Sequence, residues 1–174
     1  MVLSYEEMQT STDVFPITFF EMKRKYQVLA GTDVLANLPI SDMYLRLRCE
    51  QELKNLLIRM QGNFLLQSHR SDFLLESLRR VYSNLLRCLR AAIQVLGESV
   101  PNDDERVVAI AADRFGLETD TLARVEEICM TDQAVGAEAI VQVYGQLLVE
   151  VHRAANAIDQ LKHTDEIELD TAEN

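Results

Sequence analysis

The amino-acid sequence predicts a mainly α fold: an up-and-down helical bundle of three long and two or more short helices, with one N-terminal extended or strand segment. Two observations favour helices. Apolar residues recur at three- and four-residue steps along most of the chain, as they do on the buried face of an amphipathic helix. Only six glycines and three prolines occur in 174 residues, which is too few turn-forming residues for a many-stranded sheet.

Residues 1–40 are predicted to form an arm with short helices at 3–10 and 21–29. Between them, segment 13–20 is rich in β-forming residues, and Pro16 restricts it to the start or the edge of a sheet. A lone strand must pair outside its own segment, so we expect it either to dock against another chain or to lie as an extended arm. The docking side chains would be Val14, Phe15, Ile17 and Phe19.

Residues 41–163 are predicted to form the bundle. The first long helix spans about 41–67, and the second runs from Ser71 to Gly97 with an unbroken apolar face. Residues 164–174 contain five acids and no base, a composition typical of a disordered acidic tail. Three more helices are expected at about 103–115, 119–129 and 132–162.

The formal net charge of −11 is unevenly distributed along the chain. Residues 46–97 carry four acids and nine bases, net +5, whereas residues 98–174 carry eighteen acids and five bases, net −13. Either the basic and acidic helices pack together and neutralise each other, or the basic segment faces a phosphate-bearing ligand. Duplex nucleic acid would be repelled by the molecule as a whole, whereas a small nucleotide remains compatible.

Several classes of protein are excluded by what the sequence lacks. Its apolar runs are too short for a membrane-spanning helix, and its first residues lack the pattern of a secretory signal. Cys49, Cys88 and Cys129 are odd in number and widely spaced, which argues against disulfides or zinc and favours the cytoplasm. No phosphate-binding glycine loop, metalloprotease motif or nucleophile elbow occurs, so we expect no catalytic residues, metal or cofactor.

Four arginines on the second long helix form the first candidate site. Guanidinium groups bind phosphate and carboxylate through paired hydrogen bonds. Helical spacing places the last three on one side of the helix, and the first and last are nearly eclipsed. These residues would form either a phosphate-binding wall or an ordinary solvated face. They are Arg79, Arg80, Arg87 and Arg90.

A polar stripe on the last helix forms a weaker candidate. His152, Asp159 and His163 repeat at helical spacing, and the last two are four residues apart, so they could share a metal. No further ligand is indicated by the sequence. An exposed polar stripe near a helix end explains the same pattern.

One stretch resembles a known family. It comprises the runs Asp13–Lys23, which includes Phe-Pro-Ile, Tyr26–Leu35 and Leu45–Leu53. This order is similar to the region that follows the catalytic core in bacterial two-domain proteins of the polymerase-β-like nucleotidyltransferase superfamily. The resemblance covers about a quarter of the chain. It implies a strand that closes a catalytic sheet and helices that form a C-terminal bundle on the substrate side.

The sequence departs from that family where catalysis would occur. The superfamily uses a Gly-Ser turn and paired acids that hold two Mg²⁺ ions, and neither element is present here. The resemblance also implies a third acid where Thr18 stands, and Glu21 lies beyond the predicted strand. We therefore expect no nucleotide transfer by this chain alone.

Three functions follow as hypotheses. The first is a non-catalytic helical module that acts through protein contacts with a separate nucleotidyltransferase domain and offers its arginine face to a nucleotide. The second is a self-associating structural homodimer. The third is an enzyme that uses unrecognised residues.

Overall fold

The computed structural model describes residues 3–131 and 134–161. It confirms the mainly α bundle, with seven helices within those ranges. The four short helices are α1 (Tyr5–Thr10), α2 (Pro16–Arg24), α5 (Asp104–Phe115) and α6 (Thr119–Met130). The three long helices are α3 (Asp42–Gln67), α4 (Ser71–Val95) and α7 (Ala137–Asp159).

The three long helices pack around a shared apolar core. α3 runs antiparallel to α7, since Lys54 contacts Asp159 while Phe64 stacks on Tyr144 at a ring-centroid distance of 6.0 Å. α3 also runs antiparallel to α4, because the Cys49 thiol donates to the Cys88 carbonyl at one end of the pair. α4 and α7 therefore run parallel, and the chain needs α5 and α6 to return between them.

The apolar face of α4 explains why it lies at the centre. Apolar side chains recur at helical spacing along it, and those that face the core are almost fully buried. Each such side chain contributes about 1.5–3 kcal/mol when it leaves water. The buried apolar positions that form this face are Leu74, Leu78, Val81, Leu85, Leu89 and Ile93.

The short helices α5 and α6 cover one side of the core. Gly116 ends α5 with a left-handed φ of 68°, a conformation that favours glycine. The buried Glu150 carboxylate of α7 accepts a hydrogen bond from the Glu118 backbone N–H at 2.9 Å and so caps the start of α6. α6 runs antiparallel to α4, because Arg79 donates to the Cys129 carbonyl and Tyr82, further along α4, faces Glu126, which comes earlier in α6.

The prediction of a strand at 13–20 is wrong. The segment enters α2, with Pro16 at its first position, where the missing N–H costs nothing. Ile17 and Phe20, three residues apart, pack into the core. A helix satisfies its own backbone hydrogen bonds, whereas no second strand occurs among the described residues to satisfy those of a strand.

The proposed docking edge is lost with the strand. Ile17 and Phe19 are buried within this chain, and only Val14 and Phe15 remain about half exposed before α2. The helix predicted at 21–29 ends earlier, at Arg24. This segment therefore does not offer a strand edge that could pair with a partner sheet.

The other boundaries agree with the sequence to within a few residues. The helix predicted at 3–10 is α1, and its Ser4 and Glu7 form reciprocal capping hydrogen bonds of 3.2 and 2.7 Å. α7 begins at Ala137 rather than 132. The predicted tail at 164–174 lies outside the described residues. In the described ranges, no helix is both long and apolar enough to cross a bilayer.

Candidate anion-binding groove

A groove runs along the outer face of the α3–α4 pair. It consists of two cavities of about 120 and 330 Å³ that share Leu56 and Asn84 as walls. The first residues of α2 close its upper end. The upper cavity is lined by Phe15, Ile17, Thr18, Arg48, Glu52, Arg87 and Cys88 besides the shared walls. The lower cavity adds Arg59, Met60, Asn63, Phe73, Ser77, Arg80 and Val81. We call these residues together the α3–α4 groove.

Arg80 and Arg87 are the contribution of α4. Seven residues separate them, so they share one face of the helix about 10.5 Å apart along its axis. Arg80 is exposed and pairs with Glu76 at 3.4 Å. Arg87 is half-buried in the upper cavity and has no hydrogen bond or ion pair with any residue that the structure describes. Its guanidinium donors are therefore available to a ligand.

Arg48 and Arg59 are the contribution of α3. They are eleven residues apart, which again brings both to one face of a helix. Arg48 pairs with Glu52 at 2.7 Å, and Arg59 donates to the Asn55 carbonyl at 3.3 Å. Glu52 is the one carboxylate that lines the described groove, against four guanidinium groups. Glu76 pairs with Arg80 at the edge of the groove, so four guanidinium groups face two carboxylates and the groove stays locally positive in a molecule of net charge −11.

Neutral side chains complete the walls. Asn84 lies between the two pairs of arginines and can donate its amide hydrogens to an oxygen ligand. Phe15 and Phe73 lie at opposite ends and offer aromatic surface. Asn63 donates to the Ser77 hydroxyl at 3.3 Å, and Ser77 in turn contacts the Tyr144 hydroxyl at 3.2 Å. This last chain of contacts fixes the floor of the lower cavity.

The other two predicted arginines lie outside the groove. Arg90 is buried with 9% exposure, pairs with Asp104 and lies 3.8 Å from Glu21. It therefore joins α2, α4 and α5. Arg79 faces α6, where its Nε donates to the Cys129 carbonyl at 3.2 Å. The structure thus brings together only Arg80 and Arg87 of the four.

The polar stripe of α7 does not form a metal cluster within residues 3–131 and 134–161. Asp159 pairs with Lys54 at 3.2 Å, and this contact lowers the pKa of the carboxyl below its ordinary value. The His152 ring lies 3.4 Å from the Asn156 amide. His163, the third candidate ligand, lies outside the described residues.

The cysteines show no sign of activation as nucleophiles. The contact with Cys88, together with burial, raises the pKa of the Cys49 thiol well above its ordinary value. Burial raises the pKa of Cys129 to about 11. Since the thiolate is the reactive form, both thiols are suppressed at neutral pH.

Sequence reasoning missed the half of the groove that α3 provides. The eleven-residue spacing of Arg48 and Arg59 was a usable signal, because it aligns them on one side of the first long helix. What the sequence could not give was the register that places this side beside the arginine face of α4. Comparison with protein families, curated proteins and solved structures found no match to this chain.

Proposed function

We propose that this protein is a non-catalytic helical binding module whose α3–α4 groove holds a phosphate-bearing ligand such as a nucleotide. One observation carries the proposal: Arg87 is half-buried in a cavity that Arg48 also lines, and it lacks an anionic partner among the described residues. A guanidinium in that position gains charge-assisted hydrogen bonds when an anion enters.

The form of the groove favours an elongated anion. Its arginines occur as an upper pair, Arg48 and Arg87, and a lower pair, Arg59 and Arg80. The pairs lie about 10 Å apart along α4, the rise of seven residues, and about 16 Å apart along α3, the rise of eleven. The phosphate of such a ligand would bind one pair of arginines. A ring at its other end would pack against an aromatic side chain, either Phe15 or Phe73.

The sequence resemblance supports the same class of ligand. The family it points to uses its helical bundle on the nucleotide-substrate side. A separately encoded nucleotidyltransferase domain stays a proposed partner. It would bind a helical surface of this chain, because the segment with Phe15, Pro16 and Ile17 forms the start of a helix and not the edge of a sheet.

The test is a calorimetric titration of the full chain with ATP in the presence of Mg²⁺. Arg87→Ala should weaken binding at least tenfold, which corresponds to about 1.4 kcal/mol. Arg79→Ala is the matched control, since it removes the same charge from a position on the same helix that faces α6 instead of the groove, and it should change affinity less than twofold. Equal affinities for wild type and both variants, or no binding by any of them, would refute the site.

A second candidate function is self-association through α3. Three large apolar side chains, Leu47, Ile58 and Leu65, are exposed by 38, 66 and 81% and lie along one stripe of the helix at steps of eleven and seven residues. Lys54 lies on the same face between Leu47 and Ile58, so the exposed apolar surface that could serve as an interface is concentrated at Ile58 and Leu65. This stripe lies away from the groove, so a homodimer and ligand binding are compatible.

Light scattering tests the dimer. Wild type should have twice the chain mass of 19.8 kDa. The double variant Ile58→Lys/Leu65→Lys should have the mass of a monomer. Its helicity by circular dichroism should equal that of wild type. A wild-type monomer at all concentrations would exclude this function.

A further inference from the structure

We propose that the α3–α4 groove binds a short single-stranded oligonucleotide, with phosphates at both pairs of arginines and bases against its two phenylalanines. This inference rests on the proposed anion-binding function, because it names the class of ligand that the same groove takes. It commits to one occupant, a single strand that fills the whole groove and not a mononucleotide that fills part of it.

The length of the groove is the first argument. Its α4 wall runs from Phe73 to Cys88, a rise of fifteen residues and about 22 Å. A mononucleotide can place its phosphates at one pair of arginines, but it leaves the other pair and one aromatic wall without a partner. Nucleotides in a stacked strand advance about 3.4 Å each, so roughly six of them span the groove.

The spacing of the positive charges is the second argument. Arg48 and Arg87 line the upper cavity, whereas Arg59 and Arg80 line the lower one. The two levels are separated by about 10 Å along α4 and about 16 Å along α3. Phosphates that are joined directly to one another, as in a triphosphate, stay clustered at one level. A sugar–phosphate chain carries its phosphates at intervals and can present one to each level.

The aromatic walls are the third argument. Phe15 is 50% exposed at the upper end of the groove. Phe73 is half-buried at the lower end, where the Arg70 guanidinium lies 5.8 Å from its ring centroid. A positive groove flanked by aromatic side chains is how proteins hold single strands, because every base has a face that can stack. Asn84 lies between the two rings, and its amide makes no hydrogen bond with any residue in the described part of the chain, so it can bind a base or a sugar.

The distribution of acidic residues favours a single strand over a duplex. Residues 98–161 carry thirteen acids and four bases. The helices α5 and α6 in this range contact α4 on the sides of Arg90 and Arg79, away from the groove. Salt screens charges beyond about 8 Å at physiological ionic strength, so these acids act weakly on a strand inside the groove. A duplex would hold its second strand outside the groove, where the four arginines do not reach it.

The experiment measures the fluorescence anisotropy of labelled thymidine oligonucleotides as the full chain is added. The hexanucleotide should bind at least tenfold more tightly than the dinucleotide, because only the longer strand reaches both pairs of arginines. A hexamer of the same sugar–phosphate chain without bases should bind at least fivefold more weakly than the normal hexanucleotide, because it cannot stack on Phe15 and Phe73.

Substitution of one arginine in the lower pair tests whether the strand spans the groove. Arg80→Ala should weaken binding of the hexanucleotide at least fivefold, and it should reduce the salt dependence by about the 0.7 logarithmic units expected for one phosphate contact. Arg79→Ala is the matched control, because this arginine faces α6, and it should change the affinity less than twofold. Circular dichroism checks that both variants keep the helicity of wild type.

The outcomes separate this inference from the proposed function. Equal affinities for the dinucleotide and the hexanucleotide, while ATP still binds through Arg87, would overturn the single strand and leave the proposed function standing. Equal affinities for the hexamers with and without bases would also overturn it, because a bare phosphate chain would then suffice. Absence of binding by ATP and by both oligonucleotides would refute the inference and the proposed function together.

Discussion

Lys54 of α3 and Asp159 at the end of α7 form an ion pair with an Nζ–Oδ1 distance of 3.2 Å. Glu50 accepts a second hydrogen bond from the same ammonium group at 2.6 Å. The cluster joins two long antiparallel helices at their solvent-exposed edge, while their shared apolar core sets the register.

The pair should make stability depend on pH below 4. The Lys54 ammonium lowers the pKa of Asp159 below its ordinary value of 3.8, so this carboxylate stabilises the fold above that pH. The contribution is lost as the pH falls through the lowered folded-state pKa. In Asp159→Asn, the free energy of unfolding should therefore fall less steeply with decreasing pH than in wild type. Urea unfolding between pH 6 and pH 2 measures this dependence. A variant curve parallel to that of wild type would contradict the assignment.

Arg90 should be a structural residue and not a ligand-binding one. It is buried where α2, α4 and α5 meet, with Asp104 and Glu21 as its acidic partners. Removing one partner of a buried ion pair leaves the other uncompensated, so Arg90→Ala should cost roughly 2–4 kcal/mol of unfolding free energy. Arg79→Ala, on the exposed face, should cost less than about 0.5 kcal/mol. Similar losses in the two variants would show that Arg90 does not join these helices.

Two glycines should respond in opposite directions to substitution by alanine. Gly116 adopts a φ of 68° at the end of α5, so Gly116→Ala should destabilise the fold by about 1 kcal/mol. Gly62 lies inside α3 with nothing within 4 Å of an added Cβ, so Gly62→Ala should stabilise by about 0.5–1 kcal/mol. Thermal or urea unfolding measures both. Changes of the same sign would contradict the backbone conformations described here.

The cysteines should label in an order that follows burial and pKa. Cys129, half-buried with a pKa of about 11, should react slowly with iodoacetamide at pH 8 and faster at pH 10. Cys49 and Cys88 are fully buried and should react only after unfolding. Mass spectrometry of digested samples identifies the modified residue. Rapid labelling of Cys49 in the native protein would show that the α3–α4 contact opens.

The sequence specifies the long helices well because one physical signal determines them. The apolar positions of α3 and α4 repeat with helical period over more than twenty residues, and the turn after Gln67 begins where the sequence predicts it. The strand prediction for segment 13–20 was wrong because the composition of the segment and the spacing of its apolar residues favour different structures. Its aromatic and β-branched residues favour strands, but Pro16 suits a helix start, and Ile17 and Phe20 are spaced to enter the core together.

The site was only half predictable for a related reason. Arg80 and Arg87 share a face because their spacing is a property of one helix. The seven-residue step does not reveal that Arg90 is turned by about 60° toward α5, where Asp104 engages it. Nor can spacing within α4 reveal Arg48 and Arg59, which come from another helix. Residues that meet across helices depend on packing, which the sequence pattern does not specify.

The most direct test of the central claim, that the α3–α4 groove binds anions, is an NMR titration of the full chain with ATP that follows the arginine Nε–Hε signals. We expect saturable shifts at Arg48, Arg80 and Arg87, with the Arg79 signal unchanged, and loss of saturation in Arg87→Ala. Shifts of equal size at Arg79, or none that saturate, would contradict the account.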